Sequence, residues 1–302
     1  MHIPSSMLHG AICPVTAAVS TIGISAAAYV ASKSSQKPTA SRFAAITALI
    51  FAGQMMNFPI QDGTSGHLLG GVIASVLLGT PFGILATAIV LAIQCLIFSD
   101  GGFSVLGANI LNMSILGAGL GGIVYSKAIK NNSLNPVEKF VKIGILSWAS
   151  VMVAALACSI ELGISGTVAF PKVAGAMLST HALIGIGEAV ITMVVCYAFV
   201  KEESSNTIRN VVAPFSAAVL IGMMLSPFAS SFPDGLEWVA QKYQFLHDSA
   251  PAFVSPMPDY TIPAISNEVI STGLAGLAGV VITFFIAWLA LKGVSVLNRR
   301  FV

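Results

Sequence analysis

Charge is scarce in this sequence. Only 9% of its 302 residues are Asp, Glu, Lys or Arg, against about 25% in a soluble domain. Hydrophobic residues make up 56%, and the mean hydropathy is +0.88. Such a chain cannot dress a water-facing surface of its own size, which excludes an ordinary soluble protein. A net charge of +2 gives no electrostatic footprint for nucleic acid. Cysteine is sparse too. Cys13, Cys95, Cys158 and Cys196 lie in apolar stretches without CxxC spacing, so they read as small packing residues rather than a disulfide framework. No GxxxxGK[ST] occurs, which excludes ATP hydrolysis by a P-loop of the chain's own. No HExxH occurs either, which argues against an intramembrane metallohydrolase built on His67 and Glu188. No Lys or Arg precedes Lys33. A secretory signal needs a basic start, so the N-terminus is expected to be retained as made.

What is present is a series of long apolar runs. A spanning helix needs about 20 mostly apolar residues. Nine stretches are expected to cross: 12–31, 43–58, 68–80, 81–98, 108–125, 143–162, 180–200, 211–226 and 269–291, the third and fourth split at Thr80-Pro81. The fold class is therefore an all-α integral membrane bundle, with seven core spans and two C-terminal ones. With the N-terminus outside, the inner segments hold Lys33, Lys37, Arg42, Lys127, Lys130, Lys139, Lys142, Lys201, Arg209, Lys292, Arg299 and Arg300. The outer segments hold only Lys172 and Lys242. Twelve against two is a positive-inside bias. It sets the N-terminus outside, the C-terminus inside, and all five histidines on or near the outer side. GAGLGGI, from Gly117 to Ile123, matches GxGxxG on paper but lies inside a span. It is expected to pack helices closely through Gly117 and Gly121.

The first residues, MHIP, carry coordination chemistry. A free α-amine, the His2 amide nitrogen and His2 Nδ1 can close a five- and a six-membered chelate ring around one ion. An ionised amide is a strong-field ligand, so this set suits square-planar metals such as Ni(II) or Cu(II). Binding must displace protons, so affinity should rise with pH. A fourth donor must come from elsewhere, and GTSGH (Gly63 to His67) places an imidazole at the mouth of a span behind a Gly-rich turn. Asn57, at the end of the second span, could orient a ligand.

Several stretches carry a family resemblance. They are MHIP, MNFPI and GTSGHLLGG (Met56 to Gly71), FSDGG followed by LGANILNM (Phe98 to Met113), and HALIGIGEAVIT (His181 to Thr192). Together they resemble the CbiM/NikM family, the substrate-binding membrane components of energy-coupling factor transporters for cobalt and nickel. The resemblance covers residues 1–205. It implies a metal held by the amine of Met1, the amide and imidazole nitrogens of His2, and the imidazole of His67. The family usually shows an acidic residue and a glycine after MHIP, where this chain has Ser5 and Ser6. SFPDGLEWVAQKYQF (Ser231 to Phe245) resembles the PDGLE segment of the companion small subunit. The chain thus reads as a binding component, residues 1–205, fused to an accessory region with two spans and an extracytoplasmic loop, residues 206–302.

The implied function is high-affinity capture and uptake of Ni(II) or Co(II), as transported substrate, across the cytoplasmic membrane. It is not an enzyme. The implied partners are a transmembrane coupling subunit and cytoplasmic ATP-binding cassette ATPases, besides the lipid bilayer. The alternative is a stand-alone metal channel working without nucleotide. A non-transporting sensor would need a signalling domain that the sequence lacks. Glu188 lies two turns inward from His181 on one helix face. A carboxylate at that depth needs a partner and serves either as a positioning or gating group near the metal or as a packing residue. Asn109 and Asn112 are expected to hydrogen-bond the N-terminal loop. Asp100 could attract cations to the mouth but reads first as an acidic surface turn, and His9 and His247 read as solvated. Ala27 and Ala31 form a smooth strip, of a kind that docks the coupling subunit in this class of transporter but also suits lipid contact or internal packing.

Overall fold

The computed structural model describes residues 1–130, 134–200, 207–247 and 253–300, with side chains as far as residue 293. Lys201, the boundary expected after residue 205 and the side chains of Arg299 and Arg300 lie outside the described residues.

Among the described residues ten helices carry the fold. They are α1 (Ile12–Lys33), α2 (Ala40–Gln54), α3 (Gly71–Leu78), α4 (Thr80–Phe98), α5 (Phe103–Ile129), α6 (Pro136–Ile164), α7 (Phe170–Phe199), α8 (Ile208–Phe228), α9 (Gly235–Lys242) and α10 (Glu268–Arg300). Local signals set their starts. Thr39 caps α2 through Arg42 N. Asn135 and Glu138 form a capping box ahead of α6, with Pro136 in the first turn; both devices satisfy orphan N–H groups. A two-residue hairpin, β1 (Phe58–Pro59) with β2 (Ser65–Gly66), folds the long loop between α2 and α3.

Among the described residues seven helices, not nine, are long and apolar enough to cross a membrane: α1, α4, α5, α6, α7, α8 and α10. The second and third expected spans shrink to 15 and 8 residues. At 1.5 Å per residue these are about 22 and 12 Å long, short of a hydrocarbon core of about 30 Å. The deficit has a physical cause. Leu68, Leu69 and Gly70 are not helical, and Gly70 takes a left-handed φ of +72°. Irregular backbone is tolerated at membrane depth only where protein satisfies it. Here Glu188 accepts from Leu69 N at 2.7 Å and Gly70 N at 2.9 Å, and Gln54 Nε2 donates to Leu69 O at 2.7 Å.

Almost every side chain of α2 is buried, and α3, α4, α8 and α10 surround it. The contact with α10 is close because Gly279 leaves no room for more than a hydrogen: a Cβ there would overlap the Phe51 ring and lie 2.9 Å from Phe98. Small residues serve α3 and α5 likewise. A Cβ on Gly71 would lie 2.7 Å from Ala118 N, and one on Gly121 2.7 Å from Val72. The Gly117–Gly121 stretch is therefore a packing seam, as its sequence implies. Ala27 and Ala31 are buried, so their strip is internal. The cysteines are unpaired, with Cys95, Cys158 and Cys196 buried.

Two polar clusters mark opposite ends of the bundle. At one, Arg42 donates to Asn210 Oδ1 (2.6 Å), Leu77 O (3.3 Å) and Phe199 O (3.2 Å), tying the start of α2 to the ends of α3 and α7. At the other lie the N-terminus, the hairpin and the loops after α4 and α8.

Candidate metal centre

The first eight residues do not trail into solvent. Met1, His2, Ile3, Met7 and Leu8 are all buried. Asn109 holds the segment like a strand partner: Oδ1 accepts from Ile3 N at 2.8 Å and Nδ2 donates to Ile3 O at 3.1 Å. Gly102 N adds a bond to Ile3 O at 2.9 Å. Farther along, Thr167 donates to Met7 O at 2.6 Å. The Ser5-Ser6 departure therefore leaves a well-anchored loop.

The expected donors converge. The Met1 amine abuts His67 Nε2, and the His2 and His67 rings stack with centroids 4.9 Å apart and planes 14° apart. His67 Nδ1 lies 3.0 Å from Leu68 O. A carbonyl only accepts, so Nδ1 carries the hydrogen and Nε2 presents its lone pair to the amine. The His2 amide has no acceptor among the described residues. Burial pushes the His2 imidazole down to about 4, with Asp100 opposing the shift and the Met1 ammonium adding to it. The ring is neutral at pH 7, as a metal ligand must be. Among the described residues no three His, Cys, Asp or Glu side chains form a cluster able to hold a metal. A metal held here would therefore have to draw on the backbone amine and amide as well as the imidazoles.

Glu188 stands directly behind His67. By accepting from Leu69 and Gly70 it fixes the backbone two residues beyond the imidazole. His181, also buried, sets its Nδ1 2.8 Å from Met177 O, so Nδ1 bears the hydrogen and Nε2 has a bare lone pair with no partner among the described residues. Asn112 does not reach the N-terminal loop as expected; its Nδ2 donates to Glu161 Oε2 at 2.7 Å, since it lies a turn deeper than Asn109. Asn57 uses its carbonyl, accepting from Ser230 N at 2.8 Å. Its side chain has no bond to His2 or His67 among the described residues. His9 and His247 are exposed.

Two carboxylates make contacts here that sequence reasoning did not foresee. Asp100 is no free surface turn: Oδ1 lies 3.1 Å from His2 Nδ1 and Oδ2 accepts from Tyr260 at 2.5 Å. Asp234, in the PDGLE stretch, pairs with the Met1 amine at 2.8 Å and lies 3.6 Å from His67 Nε2. Its other oxygen caps α9 through Leu236 N and Glu237 N. Burial alone would raise the Asp234 pKa, but the adjacent Met1 ammonium holds it well below the usual carboxylate range. The whole PDGLE stretch is laced to the hairpin. Ser65 N donates to Pro233 O at 2.9 Å, Ser65 Oγ to Phe232 O at 2.8 Å, and Trp238 Nε1 to Asp62 O at 3.1 Å. Gly235 permits the approach, because a Cβ there would lie 3.0 Å from His181 Cε1. The motif was visible in the sequence. Its position over the site was not, because 166 residues separate Asp234 from His67 along the chain.

Membrane-length helices closing around a buried set of backbone and imidazole nitrogens define a polytopic membrane protein equipped to handle a transition-metal ion. Residues 2–206 match the CbiM family, described as the cobalt uptake substrate-specific transmembrane region, and residues 209–295 match the PDGLE domain. The chain belongs to the CbiM family and carries a PDGLE domain fused behind it. It is a nickel or cobalt transport component of that family. It is similar to the putative fused nickel transport protein NikMN of Archaeoglobus fulgidus, 34% identical over 254 residues, covering 80% of this chain and 82% of that one. It is also similar to the cobalt transport protein CbiM of Sorangium cellulosum, 33% identical over 150 residues, covering 49% and 67%. A solved structure of a transition metal transporter aligns with a TM-score of 0.59 at 30% identity, covering 69% of this chain and 96% of that one.

Proposed function

We propose that the chain is the substrate-specific component of an energy-coupling factor transporter, capturing Ni(II) or Co(II) with high affinity at the outer face. The metal is held by Met1 N, His2 N, His2 Nδ1 and His67 Nε2. The supporting observation is the buried docking of the N-terminal amine against His67 Nε2, beside a neutral His2 and an unpaired His2 amide. Planar coordination by an ionised amide favours nickel, and cobalt can enter the same shell.

The site end faces outward and the Arg42 end inward, in the cytoplasmic membrane, on the strength of the uneven distribution of Lys and Arg. Energy comes from a transmembrane coupling subunit and cytoplasmic ATPases, because this chain has no P-loop of its own. Release requires the nitrogen cage to open. One experiment decides the ligand set. A chain extended by Gly-Ser before Met1, with the new terminus checked by mass spectrometry, should lose nickel binding in calorimetry. An unchanged dissociation constant would sink the assignment. Uptake by vesicles bearing this chain alone, without ATPases, would instead favour a channel.

A further inference from the structure

The Met1 amine lies between two electron-pair donors. His67 Nε2 meets it on one side, with a lone pair, since Nδ1 gives its hydrogen to Leu68 O. Asp234 Oδ2 meets it on the other at 2.8 Å. These two donors are 3.6 Å apart, and a carboxylate oxygen has no hydrogen to offer an imidazole lone pair. What lies against both is a single cationic group, the N-terminal ammonium.

Asp234 is fixed in that position. Its Oδ1 accepts from Leu236 N at 2.8 Å and Glu237 N at 2.9 Å, which leaves Oδ2 to face the site. Ser65 and Asp234 pair as a parallel bridge, and Ser65 N donates to Pro233 O at 2.9 Å. His67 follows two residues after Ser65. Carboxylate and imidazole are thus mounted on adjoining backbone segments. The Asp234 side chain is only 12% exposed.

Bonds from a divalent transition metal to nitrogen or oxygen are about 2.0–2.2 Å long. Two donors at right angles around one ion then lie about 2.8–3.1 Å apart. Asp234 Oδ2 stands at that distance from Met1 N, and about 0.5–0.8 Å beyond it from His67 Nε2. Met1 N and His67 Nε2 are neighbouring corners of the nitrogen square, and the other two corners are nitrogens of His2. An oxygen at right angles to both therefore stands above the plane. Side chains alone make no cage among the described residues; the amine is what brings oxygen and imidazole to one point.

We propose that Asp234 Oδ2 is a fifth, apical donor to the captured ion, added to the nitrogen plane by the PDGLE region. The proposal rests on the ligand assignment above and deepens it towards selectivity. A strictly planar shell rewards nickel, whereas an apical oxygen draws the ion out of planar geometry and reduces that advantage. Asp234 in this way extends the cargo from nickel towards cobalt.

X-ray absorption at the nickel edge of the loaded full-length chain tests this directly. Planar four-coordinate nickel gives a sharp pre-edge feature that a fifth donor abolishes. The parent chain should lack the feature. Asp234→Ser still caps α9 with its hydroxyl but is too short to reach the ion. It should bind nickel in planar geometry, and calorimetry should show cobalt affinity falling more than nickel affinity. Asp234→Asn keeps the cap and the volume but offers only a neutral oxygen; it should shift the same way, and it decides the matter if the serine variant does not fold. A planar spectrum in the parent, an unchanged spectrum in the loaded variants, or an equal loss of both metals overturns the apical oxygen. None of these results touches the nitrogen set, which falls separately if the chain extended by Gly-Ser keeps its nickel.

Discussion

Gly102→Ala isolates the docking of the N-terminal segment from its chemistry. The substitution adds one methyl group and no charge. A Cβ at position 102 would overlap Ser5 N and Oγ and lie 2.6 Å from Ser5 Cα. Ordinary contact begins near 3.4 Å and Ser5 N would lie at 2.2 Å, so backbone must move by about 1.2 Å (3.4 minus 2.2). The obstacle is Ser5 backbone, which cannot swing aside as a long side chain would. Gly102 also donates to Ile3 O, so the shift is passed to residues 3–5, adjoining His2. Metal–ligand distances tolerate about 0.2 Å, less than the displacement. Overpacking of this kind costs about 1–3 kcal/mol, which is about 5- to 150-fold in affinity if it falls on the bound geometry. Calorimetric nickel titration of the purified chain should show that weakening. Gly175→Ala, on α7 with nothing within 4 Å of the new methyl, should leave the affinity unchanged. A Gly102→Ala protein that binds nickel like its parent and melts at the same temperature would refute the claim that this glycine sets the position of the N-terminus.

Other outcomes follow from the same contacts. Glu188→Gln replaces one accepting oxygen with an NH₂ group facing Leu69 N or Gly70 N. It should cost about 1–3 kcal/mol of stability and loosen nickel binding, both measurable on one sample by melting and titration. Arg42→Ala removes the donor from the Leu77 and Phe199 carbonyls at the far end; it should lower the melting temperature by several degrees while nickel affinity stays at the parent value. His2 titrates at about 4 when folded and near 6.5 when unfolded. The folded chain therefore binds fewer protons, and the contribution is full above pH 6.5 and lost as pH falls towards 4. About 3 kcal/mol is at stake for a shift of this size, and a His2→Asn chain should show a flatter melting-versus-pH curve without metal.

Composition and apolar run length were enough to reveal a helical membrane bundle, and the four letters MHIP were enough to suggest the chelate on which the ligand proposal rests. Residues 68–70 could not be read correctly. Leu68 and Leu69 are as apolar as any helix interior, and nothing local announces that Glu188, more than a hundred positions later, will hold them out of a helix. Asp100 looked like a surface turn because its partners come from residue 2 and residue 260. Tyr260 carried no signal at all: it follows a Pro-rich stretch, and its partners Asp100 and Gln94 lie more than 150 positions earlier. Asn112 misled for a simpler reason. Three residues from Asn109 it shares a helix face, but it lies one turn too deep to meet the N-terminal loop.

The carboxylate that meets the first amine belongs to residue 234. Ribosomes add about 5–20 residues per second, so the opening methionine waits roughly 12–47 s for its counter-ion to be synthesised. Until then the pocket is open on one side, and a nascent chain halted before that point has no lid over its imidazoles. The last wall of the cleft is thereby tied to a residue made long after the first, and a product truncated before Asp234 leaves the Met1 amine without the carboxylate it pairs with.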